Sequence, residues 1–352
     1  MNTSSICYES FIVETTTGRR LSYCLQILTA VISLAITIKA VKSRSLRHVP
    51  AHPNFKLMVA NIAVITVFHA VGVIIECIIP LANSLFATPT NCLTVVENAT
   101  CTALKMAPFT SIPMFAFMHA AMFIERCMAY FKRENYENSS TTFGLSSTLL
   151  NWILCSIYGA YAQGAFDLER VLVADCFETM PQNRYRVAYL FQFSVSVDGL
   201  MAVGVIGLWI LVKRENNRED WALQRGIKIN STKVYSLSKV YQRRENLQLV
   251  GILFPTAIVC FLGHFAFIVI GYSVRRNIRN YVKTTSFEIL RKYGDDIVPF
   301  LIGSVHVMFT MLTIVTVLMY VKMGERLMKE RMEITNRQDA DTAFKLFRLH
   351  IS

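Results

Sequence analysis

Apolar residues along the chain gather into seven blocks of 20 or more, separated by polar and charged stretches. A helix rising about 1.5 Å per residue needs that length to cross about 30 Å of hydrocarbon. The blocks fall at residues 21–41, 55–79, 107–131, 143–166, 187–212, 247–272 and 297–321. In lipid a span must satisfy its own backbone hydrogen bonds, so each block predicts a helix. The expected fold is therefore all-α, a seven-transmembrane helix bundle. An odd number of crossings puts the two termini on opposite sides of the membrane.

Composition supports that pattern. Hydrophobic residues make up 53%, charged residues 17% and the mean hydropathy is +0.39, against about 45–50% and about 25% for ordinary soluble domains. The net charge of +12 does not point to nucleic acid, because the cations lie between the spans, where membrane topology accounts for them. With the amino terminus outside, inner segments hold 22 Lys and Arg and outer segments 12. That bias predicts an extracellular amino terminus and a cytoplasmic carboxyl terminus. The sequons at Asn2 and Asn98 fall outside on this topology and are candidate glycosylation sites, while the one at Asn138 falls inside. The segment 273–296 argues the other way, with Arg275, Arg276, Arg279, Lys283, Arg291 and Lys292. As an outer loop it hints at an anionic ligand, and lipid headgroups or its own Asp295 and Asp296 explain it as well.

The first span follows about twenty polar residues without a small-residue cleavage signature, so it reads as a retained span. The chain divides into an outer segment 1–20, a seven-span domain 21–321 and an inner tail 322–352. In the long inner loop, Val234, Leu237 and Val240 or Tyr241 recur every three to four residues, predicting a helix that extends span six. The tail from Met323 to Met332 has a short apolar stripe that suits either the inner membrane surface or a solvated helix.

Nine cysteines divide by compartment. Cys24, Cys77, Cys127, Cys155 and Cys260 lie in or at the ends of spans; Cys7, Cys92, Cys101 and Cys176 lie in outer segments, where disulfides form. Cys101 stands before span three and Cys176 between spans four and five, so a Cys101–Cys176 bridge would tie that loop over the bundle. Cys7 and Cys92 then remain as a second pair, though four cysteines permit three connectivities and the sequence does not choose.

Polar groups inside spans are expensive and are expected to face the bundle interior: Asn61, His69, Glu76, His119, Asp198, His264 and His306. Glu76, His264 and His306 in outer helix halves, with Asp198 nearer the midplane, are candidate ligand-binding residues; a structural contact between helices is the bland alternative for each. His119, His264 and His306 lack local spacing and a carboxylate partner in reach by sequence, so no metal site is expected. Glu125 and Arg126 close span three at the inner interface, where Arg126 suits a switch that holds a carboxylate or a neighbouring helix, or a snorkelling cation. Pro255 interrupts span six and makes it a hinge candidate, with Gly251 and Gly263 allowing close packing or bending.

Taken together, Glu125-Arg126 at the end of span three and Ser236-Leu237-Ser238, Tyr241-Gln242 and Glu245-Asn246 leading into span six resemble the Sra-type serpentine receptors of nematodes, with their alpha, alpha-beta and beta classes. The resemblance covers the whole chain, and the loop motif is its most specific part. It implies a chemosensory G-protein-coupled receptor of the plasma membrane, in sensory neurons or their cilia. The partners it implies are a small-molecule ligand and a heterotrimeric G protein docking near Lys239, Arg243 and Arg244. Glu125-Arg126-Cys127 stands where rhodopsin-like receptors have Asp-Arg-Tyr, and span seven has neither Asn-Pro-x-x-Tyr nor a lysine for a retinal Schiff base. No cofactor is expected.

Two other classes weigh less. A ligand-gated channel or transporter would show inverted repeats or Gly/Pro-interrupted spans in matching halves, and on this reading Pro255 has no counterpart in spans one to three. A membrane enzyme would show a His-Glu-x-x-His, paired intramembrane aspartates or a phosphate loop, none of which the chain contains. Ligand identity, G protein subtype and homo- or hetero-oligomerisation are not set by the sequence.

Overall fold

The computed structural model describes residues 3–43, 51–132, 136, 140–165, 172–173, 184–224, 237–284, 307–322, 324–326 and 329. In chain order these form α1 (Thr3–Glu14), α2 (Thr17–Lys42), α3 (Pro53–Phe86), β1 (Val96–Glu97), α4 (Asn98–Phe131), α5 (Thr142–Gln163), β2 (Leu172–Val173), α6 (Arg184–Gln224) and α7 (Leu237–Thr284), then α8 (Val307–Arg326). Helices α2 to α8 are the seven long and apolar enough to cross a membrane. Their outer faces remain apolar: on α5, Leu145, Leu149, Leu150, Ile153, Leu154 and Ile157 are each more than half exposed, as lipid contact requires.

Local chemistry sets the helix ends. Thr16 caps α2, its hydroxyl accepting from the Arg19 amide at 3.3 Å, and Pro53 opens α3 in the first turn, where its missing N–H costs nothing. Gly164 ends α5 in the left-handed region at φ 72°. Several helices outrun the expected spans. Helix α4 begins nine residues before 107, placing Asn98 and Cys101 in its first turn; α6 continues past 212 to Gln224. Helix α7 starts at Leu237, as the spacing in the long loop predicts, and continues to Thr284, so 273–284 is helix rather than loop. The segment 1–20, expected as a polar outer segment with no assigned element, contains α1.

Helix α4 is the axis of the bundle. It packs against α3, α5, α6 and α7 and is the most buried of the spans. Its Met114, Met118 and Met122 are fully buried with Ile62 and Ile65 of α3 and Leu249 and Val250 of α7. Between membrane helices association depends on close packing rather than on escape from water. Gly72 of α3 illustrates it: a Cβ there would lie 2.6 Å from the Ala107 Cβ and 2.9 Å from Pro108 Cδ. Gly263 meets Leu312 of α8 in the same way, whereas Gly251, expected to allow close packing, has nothing within 4 Å of its Cβ position.

One expectation needs correction here. Pro255 is not without counterparts, since Pro80 lies inside α3 and Pro108 and Pro113 inside α4; the prolines therefore do not separate a receptor from a transporter. The bundle is all-α as expected, with one short ladder in which β1 and β2 pair antiparallel, Val96 opposite Val173 and Glu97 opposite Leu172. This short ladder ties the α5–α6 connection to the start of α4.

Beside the ladder, Cys7 of α1 is bonded to Cys92, Cα to Cα 4.8 Å, the second pair expected from compartment. Cys101 is also disulfide-bonded, while Cys176 lies outside the described residues. Cys24, Cys77, Cys127, Cys155 and Cys260 are free thiols. The end of the bundle bearing the Cys7–Cys92 bridge is called the disulfide end below, and the opposite end the arginine end.

Gly72→Val should disrupt the α3–α4 contact, since overpacking costs about 1–3 kcal/mol, and surface expression and the thermal midpoint in detergent should both fall. Gly251→Ala, pointing into open space, should leave both unchanged.

Candidate functional site

Every described polar span residue singled out from the sequence is buried: Asn61, His69, Glu76, His119, Asp198 and His264. They do not form one cluster. Asn61 accepts from the Trp152 indole at 2.9 Å and is structural in geometry. The central group is Asp198 of α6, whose carboxylate lies between two imidazoles. His264 Nδ1 of α7 hydrogen-bonds to Asp198 Oδ2, and His119 Nδ1 of α4 lies 3.7 Å from Asp198 Oδ1. No sequence spacing joins residues 119, 198 and 264, and the expectation that these histidines lack a carboxylate partner is overturned: Asp198 is that partner.

Further groups extend this polar centre across the bundle. Cys260, one turn before His264 on the same face of α7, has its sulfur 3.9 Å from His119 Nε2 and 3.4 Å from Thr316 Oγ1 of α8. The His264 ring stacks on Phe309 with centroids 5.3 Å apart, and Phe309 packs edge-on against His69 of α3 at 5.0 Å. His69 reaches Ser111 of α4 at 2.8 Å and Thr310 of α8 at 3.3 Å. Five helices thus converge on one buried polar track. Within it, His264 Nε2 has no hydrogen-bond partner, although the residue is only 3% exposed.

Glu76 belongs elsewhere. It lies two turns from His69 along α3, toward the disulfide end, and faces buried Lys105 of α4 closely enough for the opposite charges to interact. Nearby Glu14 of α1 accepts from the Tyr23 hydroxyl at 2.7 Å and pairs with Arg19 at 3.6 Å. These contacts fasten α1 to the top of α2. His306 lies outside the described residues, as does Asn2; Asn98 stands at the first position of α4.

At the arginine end a second device ties three helices. Arg126, with no exposed surface, holds the carboxylate of its neighbour Glu125 through Nε and Nη2. Its Nη1 donates to Asn246 Oδ1 of α7 at 3.2 Å and lies 3.6 Å from Glu245 Oε1. The Glu245 carboxylate also accepts from the His52 amide at the start of α3, at 3.0 Å. Tyr136, in the α4–α5 connection, donates its hydroxyl to Glu125 and packs on the His52 ring at 4.5 Å, and Phe55 lies against the guanidinium at 5.0 Å. Burial, then the Glu125 carboxylate, pushes the Tyr136 phenol well above its ordinary value. Of the other residues expected here, Lys239, Arg243 and Arg244 occupy the first turns of α7, their side chains outside the described set, and Pro255 lies nine residues beyond Asn246.

A cavity of about 380 Å³ opens beside this latch, lined among others by Asn54, Met128, Lys132, Tyr136 and Phe143. Among the described residues no cluster of three or more His, Cys, Asp or Glu is arranged to hold a metal ion. Sequence reasoning missed Cys260 and Tyr136; Cys260 had one available signal, its position one turn from His264.

Residues 6–293 match the family described as serpentine type 7TM GPCR receptor class ab chemoreceptor. No curated protein matches the chain.

Asp198→Asn should destabilise the bundle by about 1–3 kcal/mol, because it replaces the buried carboxylate that pairs with His264 Nδ1 and faces His119; a thermal midpoint equal to wild type would count against the centre. The raised phenol of Tyr136 contributes stability fully below about pH 10, its unfolded value, and loses it as pH rises further. Wild type should therefore lose stability above about pH 10 more steeply than Tyr136→Phe, measured by thermal unfolding across alkaline pH.

Proposed function

We propose, for a chain that belongs to the serpentine class ab chemoreceptor family of seven-span receptors, that a small molecule bound at the polar centre controls the arginine latch and thereby a heterotrimeric G protein. The observation carrying this is that α4 and α7 are joined twice. One join runs from His119 to Cys260 and, through Asp198, to His264; the other runs from Arg126 to Glu245 and Asn246. Pro255 lies on α7 between the two joins. A proline removes a backbone hydrogen bond and lets the helix pivot there, so a ligand that repositions His264 works against the latch through one helix.

In this scheme the open Nε2 of His264 is the polar anchor for the ligand and Phe309 its apolar wall. Asp198 orients the imidazole, Glu76 borders the approach from the disulfide end, and His306 is proposed as a further ligand-binding residue. Releasing Arg126 frees the start of α7, where Lys239, Arg243 and Arg244 stand, to move away from α4 and admit the G protein α subunit. The amino terminus is outside and the tail 322–352 inside, with residues 21–321 as the receptor domain. The protein works in the plasma membrane of sensory neurons or their cilia. The β1–β2 ladder and the bonded state of Cys101 favour a bridge from Cys101 to Cys176, holding the α5–α6 connection over the ligand.

Expression with a promiscuous G protein α subunit and a panel of volatile and water-soluble metabolites tests the scheme. Glu245→Gln and Asn246→Ala, each loosening the latch, should raise ligand-free second-messenger output several-fold at equal surface level, and Arg126→Ala should lose the ligand-dependent response. Ligand-evoked current or uptake in cells lacking any G protein would replace it with a channel or transporter.

A further inference from the structure

The receptor scheme uses Cys260 only as a contact in the α4–α7 join, yet its surroundings are those of a reactive thiol. Its sulfur lies 3.9 Å from His119 Nε2, and the other nitrogen of that ring lies 3.7 Å from Asp198 Oδ1. The three residues come from α7, α4 and α6 and are 2%, 5% and 2% exposed. Thiol, imidazole and carboxylate in that order form a nucleophile, a general base and the group that orients the base. Both separations exceed a tight hydrogen bond, the looser spacing that such groups show before a ligand draws them together.

The other buried thiols lack this arrangement. Cys77 donates to the Gln26 side-chain oxygen at 3.5 Å and Cys155 to that of Asn151 at 3.2 Å, acceptors that cannot take up a proton at neutral pH. A second observation points to a ligand at the same place. His264, one turn from Cys260 on the same face of α7 and held by Asp198 through Nδ1, has a buried Nε2 with no partner. The stacked Phe309 ring forms a flat wall beside it. The site therefore offers a thiol with a base and, about a helical turn away, one free polar position.

We propose that this centre captures small soft electrophiles, α,β-unsaturated aldehydes and ketones, by conjugate addition to Cys260. In the step, His119 Nε2 takes the thiol proton and the sulfur forms a bond to the β-carbon. The carbon–carbon π pair shifts to give an enolate, whose charge the protonated His119 ring balances. The His119 proton then passes to the α-carbon. The product is a saturated carbonyl joined to Cys260 as a thioether; nothing is oxidised or reduced, no group leaves, and His119 returns to its starting state. This deepens the ligand-site reading by naming a ligand class, and it needs no coupling to a G protein.

The experiment uses the full chain in lipid nanodiscs, treated with methyl vinyl ketone and analysed by peptide mass spectrometry over time, with no G protein present. Cys260 should be alkylated at least about tenfold faster than Cys77 and Cys155, and His119→Asn should slow it by a similar factor, a base of this kind contributing about 10²–10⁴-fold. Exposed Cys24 reports the intrinsic reagent rate in each sample and should not change with His119→Asn. Should that variant fail to fold, the wild-type ranking of Cys260 against Cys77 and Cys155 decides alone. Cys260 reacting no faster than those two, or at a rate unaffected by His119→Asn in a folded sample, overturns the proposal. Because adduct formation is read directly, a receptor that is alkylated yet silent would fault the coupling scheme and leave the capture site standing.

Discussion

A guanidinium with no exposed surface must have its charge answered by the residues around it. Arg126 is in that position at the end of α4, and leaving such a group unpaired costs far more than any single apolar contact returns. Its answer comes from Glu125 beside it, Glu245 and Asn246 on α7, and the rings of Phe55 and Tyr136. Meeting that one requirement fixes where α3, the α4–α5 connection and the first turns of α7 can lie. The central position of α4, packed against four other spans, follows from the same logic: it carries both Arg126 and His119, the two positions at which α7 is held.

The two joins between α4 and α7 differ in kind. At the arginine end the contact is an ion pair bordered by a backbone donor, His52, and a partly exposed acceptor, Glu245, so water can replace the protein partners once the helices part. At the polar centre, Asp198 is buried between imidazoles and has no such substitute. A bundle held firmly in the middle and reversibly at one end has two accessible arrangements rather than a continuum. Glycine contacts such as Gly72 against Ala107 and Pro108 hold α3 close to α4; in the proposed scheme α7 is the element that pivots at Pro255.

Much of this was legible in the sequence, for identifiable reasons. Span count and approximate position follow from hydropathy because the bilayer imposes a length, and the burial of Glu76, Asp198 and His264 follows from the cost of charge in lipid. Glu245-Asn246 stood out as part of the family-like loop motif, and the structure places both beside Arg126. What hydropathy does not carry is azimuth. Asp198 meeting His119 and His264, or Cys260 meeting His119, depends on how three helices rotate against one another, and nothing local to residues 119, 198, 260 and 264 encodes it. Helix α1 was missed for a related cause: its stability comes from Cys7–Cys92 and from Glu14 meeting Tyr23, tertiary contacts rather than an amphipathic repeat. The prolines of α3 and α4 likewise show that one helix breaker, taken alone, is poor ground for choosing between a receptor and a transporter.

The central claim is that Arg126 holds α7 against α4. Double electron–electron resonance between genetically encoded spin labels at positions 132 and 248, in lipid nanodiscs without ligand, measures that contact directly. The account predicts one narrow, short distance distribution in the wild type and a second, longer population on Arg126→Ala. Identical distributions in the two proteins would mean that packing alone holds the helices together, and the latch would not be the switch.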